Sequence, residues 1–224
     1  MSKSDRTAVV TGAGRGLGRH LTLELLRRGW RVFATVREGS AHDLPQEKML
    51  TVQLLDQADP ESIAEFSIRI KELRLDLLLI NAAIRGDTRG LAGFDAQDFL
   101  QVMATNVAGP LLLVQHLINQ IPASGKIAFI SSRAGSMAQG ADPDGDYAYC
   151  ASKAALNRMM VKLADDYGQT FLALHPGWLR TDMGGAEAPV DPAASASALL
   201  ALIDRATHED SGCFRAWDGT NVAW

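Results

Sequence analysis

Six short runs of aliphatic and β-branched residues recur along the chain, and they constrain the fold more than any other feature. The runs are TAVV, RVFATV, MLTVQLL, LDLLLIN, KIAFIS and TFLALHP, which begin at residues 7, 31, 49, 75, 126 and 170. Segments with apolar residues three and four apart separate them, for example from Leu17 and from Pro60, where Asp59 is a plausible N-cap. Strands that alternate with helices pair in parallel through crossovers.

The runs are continuously apolar rather than alternating, which is typical of strands covered by helices on both faces. The sequence therefore predicts an α/β protein with a doubly wound Rossmann fold and a mostly parallel sheet of six to seven strands. The seventh strand would be CFRAW from Cys213, at an edge, followed by an Asp218-Gly219 turn. At 224 residues we expect one domain, 1–224, with a variable substrate loop at 182–194 before the last helix.

Composition excludes several classes of partner. The net charge of -4, with acidic and basic residues interleaved, gives no footprint for nucleic acid or for an anionic membrane. The apolar runs are shorter than the roughly 20 residues that cross a bilayer, and no signal peptide is visible, so we expect a cytoplasmic protein. Cys150 and Cys213 are expected to be free thiols, and the scattered histidines and cysteines predict no metal site.

A glycine-rich segment, TGAGRGLG at residues 11–18, follows the first strand and opens the first helix. Gly12 and Gly16 allow a tight turn and close approach to a pyrophosphate, whereas Gly18 allows the helix to pack on the strand. Leu17 lies between these glycines. The helix N-terminus also offers unpaired N–H groups to an anion. The segment predicts dinucleotide binding, although similar turns also join strands to helices without a ligand.

Two arginines indicate which dinucleotide is bound. A carboxylate about 20 residues beyond the glycines would select NAD, whereas an arginine there can pair with the 2'-phosphate of NADP. Arg37 ends the second strand at about that distance, and Arg15 lies inside the glycine segment. Both could instead be solvated, and Glu38 could reduce the preference. We therefore expect NADP(H) to be preferred, with NAD(H) possible.

The stretch DYAYCASK places two tyrosines close to one lysine. Tyr149 and Lys153 are four residues apart, so they share a face if this segment is helical, whereas Tyr147 points away from Lys153. A neighbouring ammonium lowers the pKa of a phenol and suits it to acid/base chemistry. A tyrosine packed under a lysine stem is the alternative. Ser131 and Ser132 follow the fifth strand, where open α/β sheets bind ligands.

Together these residues resemble the short-chain dehydrogenase/reductase family, and most closely its small C-factor-like carbonyl reductases. TGAGRGLG is similar to the family's cofactor loop, ISS at Ile130 to its serine segment, and YCASK to its tyrosine–lysine pair. Asn106 in MATNVAG and the segment HPGWLRTDM from His175 complete the resemblance. It extends over essentially the whole chain.

The resemblance implies a catalytic tetrad. In it Tyr149 is the acid/base, Ser132 polarises the carbonyl, Lys153 contacts the nicotinamide ribose and lowers the pKa of the tyrosine, and Asn106 positions a water. It also implies cofactor contacts from Asp56, Asn81, Ala82, Pro176, Trp178 and Thr181, and a homodimer or homotetramer formed through the helices at Asn106 and Tyr149. The substrate would be a small carbonyl or alcohol compound.

Three departures from the family pattern bear on these expectations. The family's Asn-Asn-Ala-Gly is replaced by Ile80-Asn81-Ala82-Ala83, which could perturb cofactor packing. An inserted polar segment, QGADPDGD at 139–146, separates the serines from Tyr149 and leaves the choice between Ser131 and Ser132 open. The loop after Thr181 is short, which favours small substrates.

Two functions remain compatible with the sequence. The leading interpretation is an NADPH-dependent reductase of aldehydes or ketones. The alternative is a dinucleotide-binding sensor or interaction protein that has kept the fold without turnover. The joint presence of Asn106, Ser132, Tyr149 and Lys153 argues against the sensor, because a sensor needs only the glycine segment.

Overall fold

The computed structural model describes residues 6–139 and 146–224. Most of the inserted segment QGADPDGD lies outside these residues. In the described part of the chain, seven strands form a single sheet. The strands are β1 (Thr7–Val10), β2 (Arg31–Val36), β3 (Leu50–Leu54), β4 (Leu77–Ile80), β5 (Lys126–Ile130), β6 (Thr170–His175) and β7 (Cys213–Ala216).

The strand order is β3-β2-β1-β4-β5-β6-β7, and each pair of neighbours is parallel. Successive strands extend the sheet to one side of β1 as far as β3 and then to the other side from β4 onward. The order reverses between β1 and β4, and in open sheets the crevice at such a reversal is where ligands bind. The predicted doubly wound fold is confirmed.

Helices cover both faces of the sheet and divide the core into two apolar clusters. The helices are α1 (Gly16–Arg27), α2 (Pro60–Arg69), α3 (Ala96–Met103), α4 (Gly109–Leu117), α5 (Tyr147–Asp166) and α6 (Pro192–Arg205). On one face α2, α4 and α5 bury Phe66, Leu113 and Met160 against Phe129 of the sheet. On the other face α1 and α6 pack together over the sheet. This packing explains why the strands are continuously apolar.

The helix ends follow the local sequence. Asp59 accepts a hydrogen bond from the Glu61 N–H at 3.0 Å, as its predicted N-cap role requires. Asp191 caps α6 in the same way, with its carboxylate bound to the N–H groups of Ala193 and Ala194. Because α6 begins at Pro192, the last three residues of the predicted 182–194 loop are helical. In the described part of the chain, no helix is both long and apolar enough to span a membrane.

Candidate cofactor and substrate site

A cavity of about 740 Å³ opens at the carboxyl ends of β1, β4 and β5, where the strand order reverses. Most of the predicted site residues line it: Gly12, Arg15, Gly16, Leu17, Gly18, Arg37, Asp56, Asn81, Ala82, Tyr149, Lys153, Pro176 and Thr181. Asn106, Ser132 and Trp178 are not part of its lining. The volume lies within the range of small-molecule and cofactor sites, roughly 300–1,000 Å³.

The glycines of the first turn have different tasks. Gly12 has a φ of +65°, and a Cβ there would lie 2.8 Å from the Cα of Ala82. A Cβ on Gly18 would lie 2.2 Å from the backbone oxygen of Gly12, so only glycine lets α1 pack this closely on the turn. Gly16 has a φ of +51°, and its nearest neighbour is the Thr181 side chain at 3.5 Å. Gly12 and Gly18 thus allow close backbone packing around the turn, and Gly16 lies opposite the loop after β6.

The start of α1 is arranged to receive an anion. Its N-cap residue, Arg15, makes no side-chain cap bond, and the first turn contains no acidic residue. The N–H groups of that turn therefore keep their positive partial charge beside the cavity. Arg15 forms an ion pair with Asp182 at 3.1 Å, and both side chains are largely exposed. Asp182 also lines the cavity, which places the ion pair at its edge.

Arg37 lies just beyond the end of β2 and lines the cavity. Ser40, which also lines the cavity, folds back and donates its hydroxyl to the Arg37 carbonyl oxygen at 2.6 Å. The neighbouring Glu38 is exposed and does not contribute to the lining. The charged side chains nearest this end of the cavity are therefore Arg15 and Arg37, together with Asp182 and Asp56.

Asn81 and Thr11 connect the glycine turn to the end of β4. The Thr11 hydroxyl oxygen accepts hydrogen bonds from the N–H groups of Asn81 and Ala82, both at 3.0 Å. The Asn81 side chain donates to the carbonyl oxygens of Thr11 and Gly12 at 2.9 and 3.2 Å. No non-glycine residue in the described part of the chain has a positive φ, so Ala83 replaces the family's glycine without backbone strain.

Some residues of the loop after β6 line the cavity, and others lie at the surface. Pro176 and Thr181 line the cavity. Trp178 is 58% exposed, and its indole N–H donates to the Gly184 carbonyl oxygen at 2.7 Å. The structure therefore gives Trp178 a contact within the loop itself.

Asp56 faces the cavity from the end of β3, and its carboxylate accepts a hydrogen bond from the Ala58 N–H.

Tyr149 and Lys153 lie one turn apart on α5 and both line the cavity. The Lys153 ammonium lies 5.5 Å from the centroid of the Tyr149 ring and donates to the Ile130 carbonyl oxygen at 2.8 Å. Tyr147, two residues earlier, is 52% exposed and lies outside the cavity lining. Of the two tyrosines, Tyr149 is therefore the one that faces the cavity, as the helical spacing predicts.

The two serines after β5 have separate partners. The Ser131 hydroxyl donates to the Asn157 side-chain oxygen at 2.5 Å, and the Asn157 amide in turn donates to the Gly135 carbonyl oxygen. The Ser132 hydroxyl oxygen instead accepts from the Ala134 N–H at 3.2 Å, and its proximity to Tyr149 lowers the pKa of the phenol. Ser131, which lines the cavity, therefore anchors the segment after β5 to α5, whereas Ser132 lies beside the Tyr149 phenol.

Burial dominates the protonation of the tyrosine–lysine pair. It raises the pKa of Tyr149 to about 12, and the nearby Ser132 side chain and the charge of Arg85 only partly offset this. Burial lowers the pKa of Lys153 to about 8. Lys153 was expected to lower the pKa of Tyr149 below its ordinary value, and the net change has the opposite sign. The largest cause is desolvation of the phenol.

Asn106 lies behind the cavity wall rather than in it. Its side-chain oxygen accepts from the Ile84 N–H at 2.9 Å, and its amide donates to the Ile84 carbonyl oxygen and to the Ser152 hydroxyl at 2.8 and 3.0 Å. The side chain thus ties the segment after β4 to α5, the helix of Tyr149. Its predicted role in positioning a water stays a prediction.

Sequence reasoning missed several polar residues of this site. Thr11 braces the glycine turn, and Gln57, Gln101 and Thr105 line the cavity. Thr11 and Thr105 directly adjoin predicted residues, so their neighbours were a usable signal. Gln57 is a buried polar residue beside Asp56, and nothing in its local pattern distinguishes it from a surface glutamine.

Comparison with known proteins identifies the family. A model of the short chain dehydrogenase family matches residues 6–190. C-signal of Myxococcus xanthus is 36% identical over 155 residues, which cover 67% of this chain and 93% of that protein. A carbonyl reductase of Pseudomonas aeruginosa PAO1, solved in complex with NADP, is 31% identical, has a TM-score of 0.87 and covers 99% of this chain and 100% of its own.

Carbonyl reductase Sniffer of D. melanogaster is similarly close in structure. Its TM-score is 0.86 at 27% identity, with 98% of this chain and 99% of that chain covered. The chain belongs to the short-chain dehydrogenase family, and it is therefore an oxidoreductase. The predicted family and enzyme class are confirmed.

Proposed function

We propose that the protein is an NADP(H)-dependent reductase of small aldehydes or ketones, able to run in reverse as an alcohol dehydrogenase. One observation carries the proposal: a single cavity joins an anion-receptive glycine turn with two arginines to Tyr149 and Lys153, with Ser132 beside the Tyr149 phenol. The two ends provide a dinucleotide site and an acid/base site. NADP bound to the similar reductase of Pseudomonas aeruginosa supports the choice of cofactor.

The residues fit a dinucleotide along the length of the cavity. The turn at Gly12 and Gly16 and the first N–H groups of α1 would receive the pyrophosphate. Arg37 and Arg15 would contact the 2'-phosphate, and Asp56 would face the adenine. Pro176 and Thr181 would lie near the nicotinamide, which supplies a hydride when bound.

The substrate carbonyl would be held by Tyr149 and Ser132. Reduction adds a hydride to the carbonyl carbon and a proton to its oxygen, and the protein must supply the proton. Because burial keeps the pKa of Tyr149 at about 12, the phenol carries its proton at neutral pH and is ready to donate it. Ser132 would donate a second hydrogen bond to the oxygen as negative charge develops there.

Lys153 would assist by its charge. Its pKa of about 8 leaves the ammonium protonated at neutral pH, 5.5 Å from the centroid of the Tyr149 ring. That charge stabilises the phenolate left after Tyr149 gives up its proton. Solvent then returns a proton to Tyr149.

Self-association through α4 and α5 and a single-domain organisation stay predictions.

The direct test is consumption of NADPH with a panel of small aldehydes and ketones, followed by absorbance. We expect turnover with at least one small carbonyl compound and weak binding of bulky, steroid-sized ones, because the loop between Thr181 and α6 is short. Binding of NADPH without turnover of any member of the panel would favour the sensor interpretation over the reductase.

Cofactor choice is tested by Arg37→Ala. We expect the Kd for NADPH to rise about ten- to a hundredfold, because a hydrogen bond to a charged group contributes ~1.5–3 kcal/mol, while the Kd for NADH stays within about twofold of wild type. Both are measured by fluorescence titration. Arg31→Ala is the control, because Arg31 is exposed at the opposite end of β2. Equal binding of NADPH by wild type and Arg37→Ala would contradict the role of Arg37.

A further inference from the structure

The connection between α3 and α4 is not a regular helix. Residues Ala104–Ala108 form a π-helical turn, in which the Gly109 N–H donates to the Ala104 carbonyl oxygen five residues earlier. At the same spacing of five residues, the Thr105 carbonyl oxygen would pair with the backbone nitrogen of residue 110, which is Pro110. Proline has no N–H to donate. The π turn and Pro110 together deprive the buried Thr105 carbonyl of its helical partner.

Gln57 supplies the missing donor from another part of the chain. Its side-chain amide donates to the Thr105 carbonyl oxygen at 2.8 Å and to the Ala82 carbonyl oxygen at 3.0 Å. Gln57 is only 3% exposed, so water has little access to replace it. An unpaired buried carbonyl destabilises the folded state, so the Gln57 amide stabilises the fold by pairing with it. Both amide hydrogens are used, and each holds a residue of the cavity wall.

The packing around Gln57 leaves little freedom for it to move. A Cβ on Gly109 would lie 1.9 Å from the backbone oxygen of Gln57, so the start of α4 rests directly on this residue. The side-chain oxygen of Gln57 is buried without a partner among the described residues. A buried orphan acceptor has a cost. The side chain therefore contributes through its N–H groups, which a glutamate of the same length could not provide when ionised.

The residues held by Gln57 connect both halves of the site. Ala82 and Thr105 line the cavity beside Asp56, and Asn106 follows Thr105 directly. Asn106 in turn holds Ile84 and Ser152, and the Ser152 hydroxyl donates to the Tyr149 carbonyl oxygen at 2.8 Å. A shift of the π turn would thus move both the cavity wall and the anchor of the tyrosine helix.

We propose that Gln57 is a positioning residue for the cofactor site: it holds the π turn by satisfying the Thr105 carbonyl that Pro110 leaves unpaired, and it fixes the wall at Ala82. This inference rests on the proposed function, because the wall in question is the one expected to enclose the adenosine half of NADP(H). It concerns a side chain that makes no contact with the reacting atoms.

The test combines Gln57→Met with Pro110→Ala. Methionine keeps the length and approximate volume of glutamine but has no N–H donor. We expect Gln57→Met to raise the Kd for NADPH and for the adenosine fragment 2',5'-ADP by about tenfold, since displacing a wall by ~1 Å can cost that much or more. Hydrogen exchange of the peptide at 104–109 should also become faster.

Pro110→Ala provides the rescue. It restores a backbone N–H that can reach the Thr105 carbonyl, so in the Gln57→Met/Pro110→Ala double variant we expect ligand affinity and slow exchange to return to within about threefold of wild type. Pro110→Ala alone should bind both ligands as wild type does. A loss of affinity caused by altered packing at position 57 would not be reversed by this second change, so the rescue identifies the Thr105 carbonyl as the group through which Gln57 acts.

Three outcomes would overturn the inference or its basis in distinguishable ways. Wild-type affinity and exchange in Gln57→Met would show that Gln57 does not hold the π turn. A Gln57→Met defect that Pro110→Ala leaves unchanged would show that the Thr105 carbonyl is not the group through which Gln57 acts. Failure of the wild-type protein itself to bind NADPH and 2',5'-ADP would contradict the proposed cofactor, and the exchange data would still report on the turn.

Discussion

The Tyr149→Phe variant is expected to lose about 10²–10⁴-fold in kcat for carbonyl reduction, the range that proton transfer by a positioned side chain contributes. The substitution removes one hydroxyl from a residue whose ring is packed in the cavity wall, so the fold and the Kd for NADPH should stay close to wild type. The loss should fall on kcat because the proton is needed only as the alkoxide forms. Stopped-flow absorbance and fluorescence titration measure the two quantities.

The control is Tyr147→Phe. Tyr147 lies on the same helix but is 52% exposed and outside the cavity lining. It should retain wild-type kcat. Equal rates of NADPH consumption by wild type and Tyr149→Phe would show that Tyr149 is not the catalytic acid.

Gly18→Ala is expected to cost on the order of 100-fold in affinity for NADPH, since displacing a binding element by ~1 Å can cost that much. The added Cβ would meet the Gly12 carbonyl oxygen at 2.2 Å and the Asn81 amide nitrogen at 2.5 Å. Because the first of these is a backbone atom, α1 must move away from the turn rather than a side chain rotating aside. The Tm should fall as well, because overpacking typically costs ~1–3 kcal/mol.

The matched control lies in the same turn. A Cβ on Gly14 would meet only side-chain atoms at its closest approaches, Val36 at 3.3 Å and His42 at 3.5 Å, and Gly14 has no positive φ. Gly14→Ala should therefore bind NADPH within about threefold of wild type, because side chains can adjust where backbone cannot. Similar losses in the two variants would contradict the specific role of Gly18 in packing α1 on the turn.

The architecture was predictable because the central strands are buried on both faces, whereas β3 and β7 are only partly buried. TAVV and RVFATV coincide with β1 and β2 to the residue, because all of these residues except Arg31 are buried. The run LDLLLIN is longer than β4, which spans only Leu77–Ile80, because Leu75 is buried outside the ladder of strand hydrogen bonds. The start of α6 at Pro192 was placed too late because the composition of 183–194 resembles a loop.

The site was predictable where its residues are close in sequence or share a helix face. Helical spacing brought Tyr149 and Lys153 together, and strand–turn–helix context placed the glycines. The choice between Ser131 and Ser132 could not be made from sequence, because it depends on Asn157, which binds Ser131 from the next helix. Contacts between distant segments carry no local signal.

The protonation of Tyr149 and the role of Gln57 could not be read from the sequence for the same reason. Spacing gives the distance between a tyrosine and a lysine but not the desolvation that raises the pKa of the phenol. Likewise, Pro110 reveals an absent N–H, but only the fold shows that the amide of Gln57 replaces it at the Thr105 carbonyl. Both features depend on three-dimensional burial.

The decisive measurement is the transfer of deuterium from NADPH labelled at C4 of the nicotinamide to the reduced product. The wild-type protein is incubated separately with the two stereospecifically labelled forms and a carbonyl compound that it turns over. We predict that one of the two forms places deuterium on the carbinol carbon of the alcohol, as mass spectrometry would show, and that Tyr149→Phe does so at a greatly reduced rate. An alcohol that carries no deuterium from either form would contradict direct hydride transfer in this cavity.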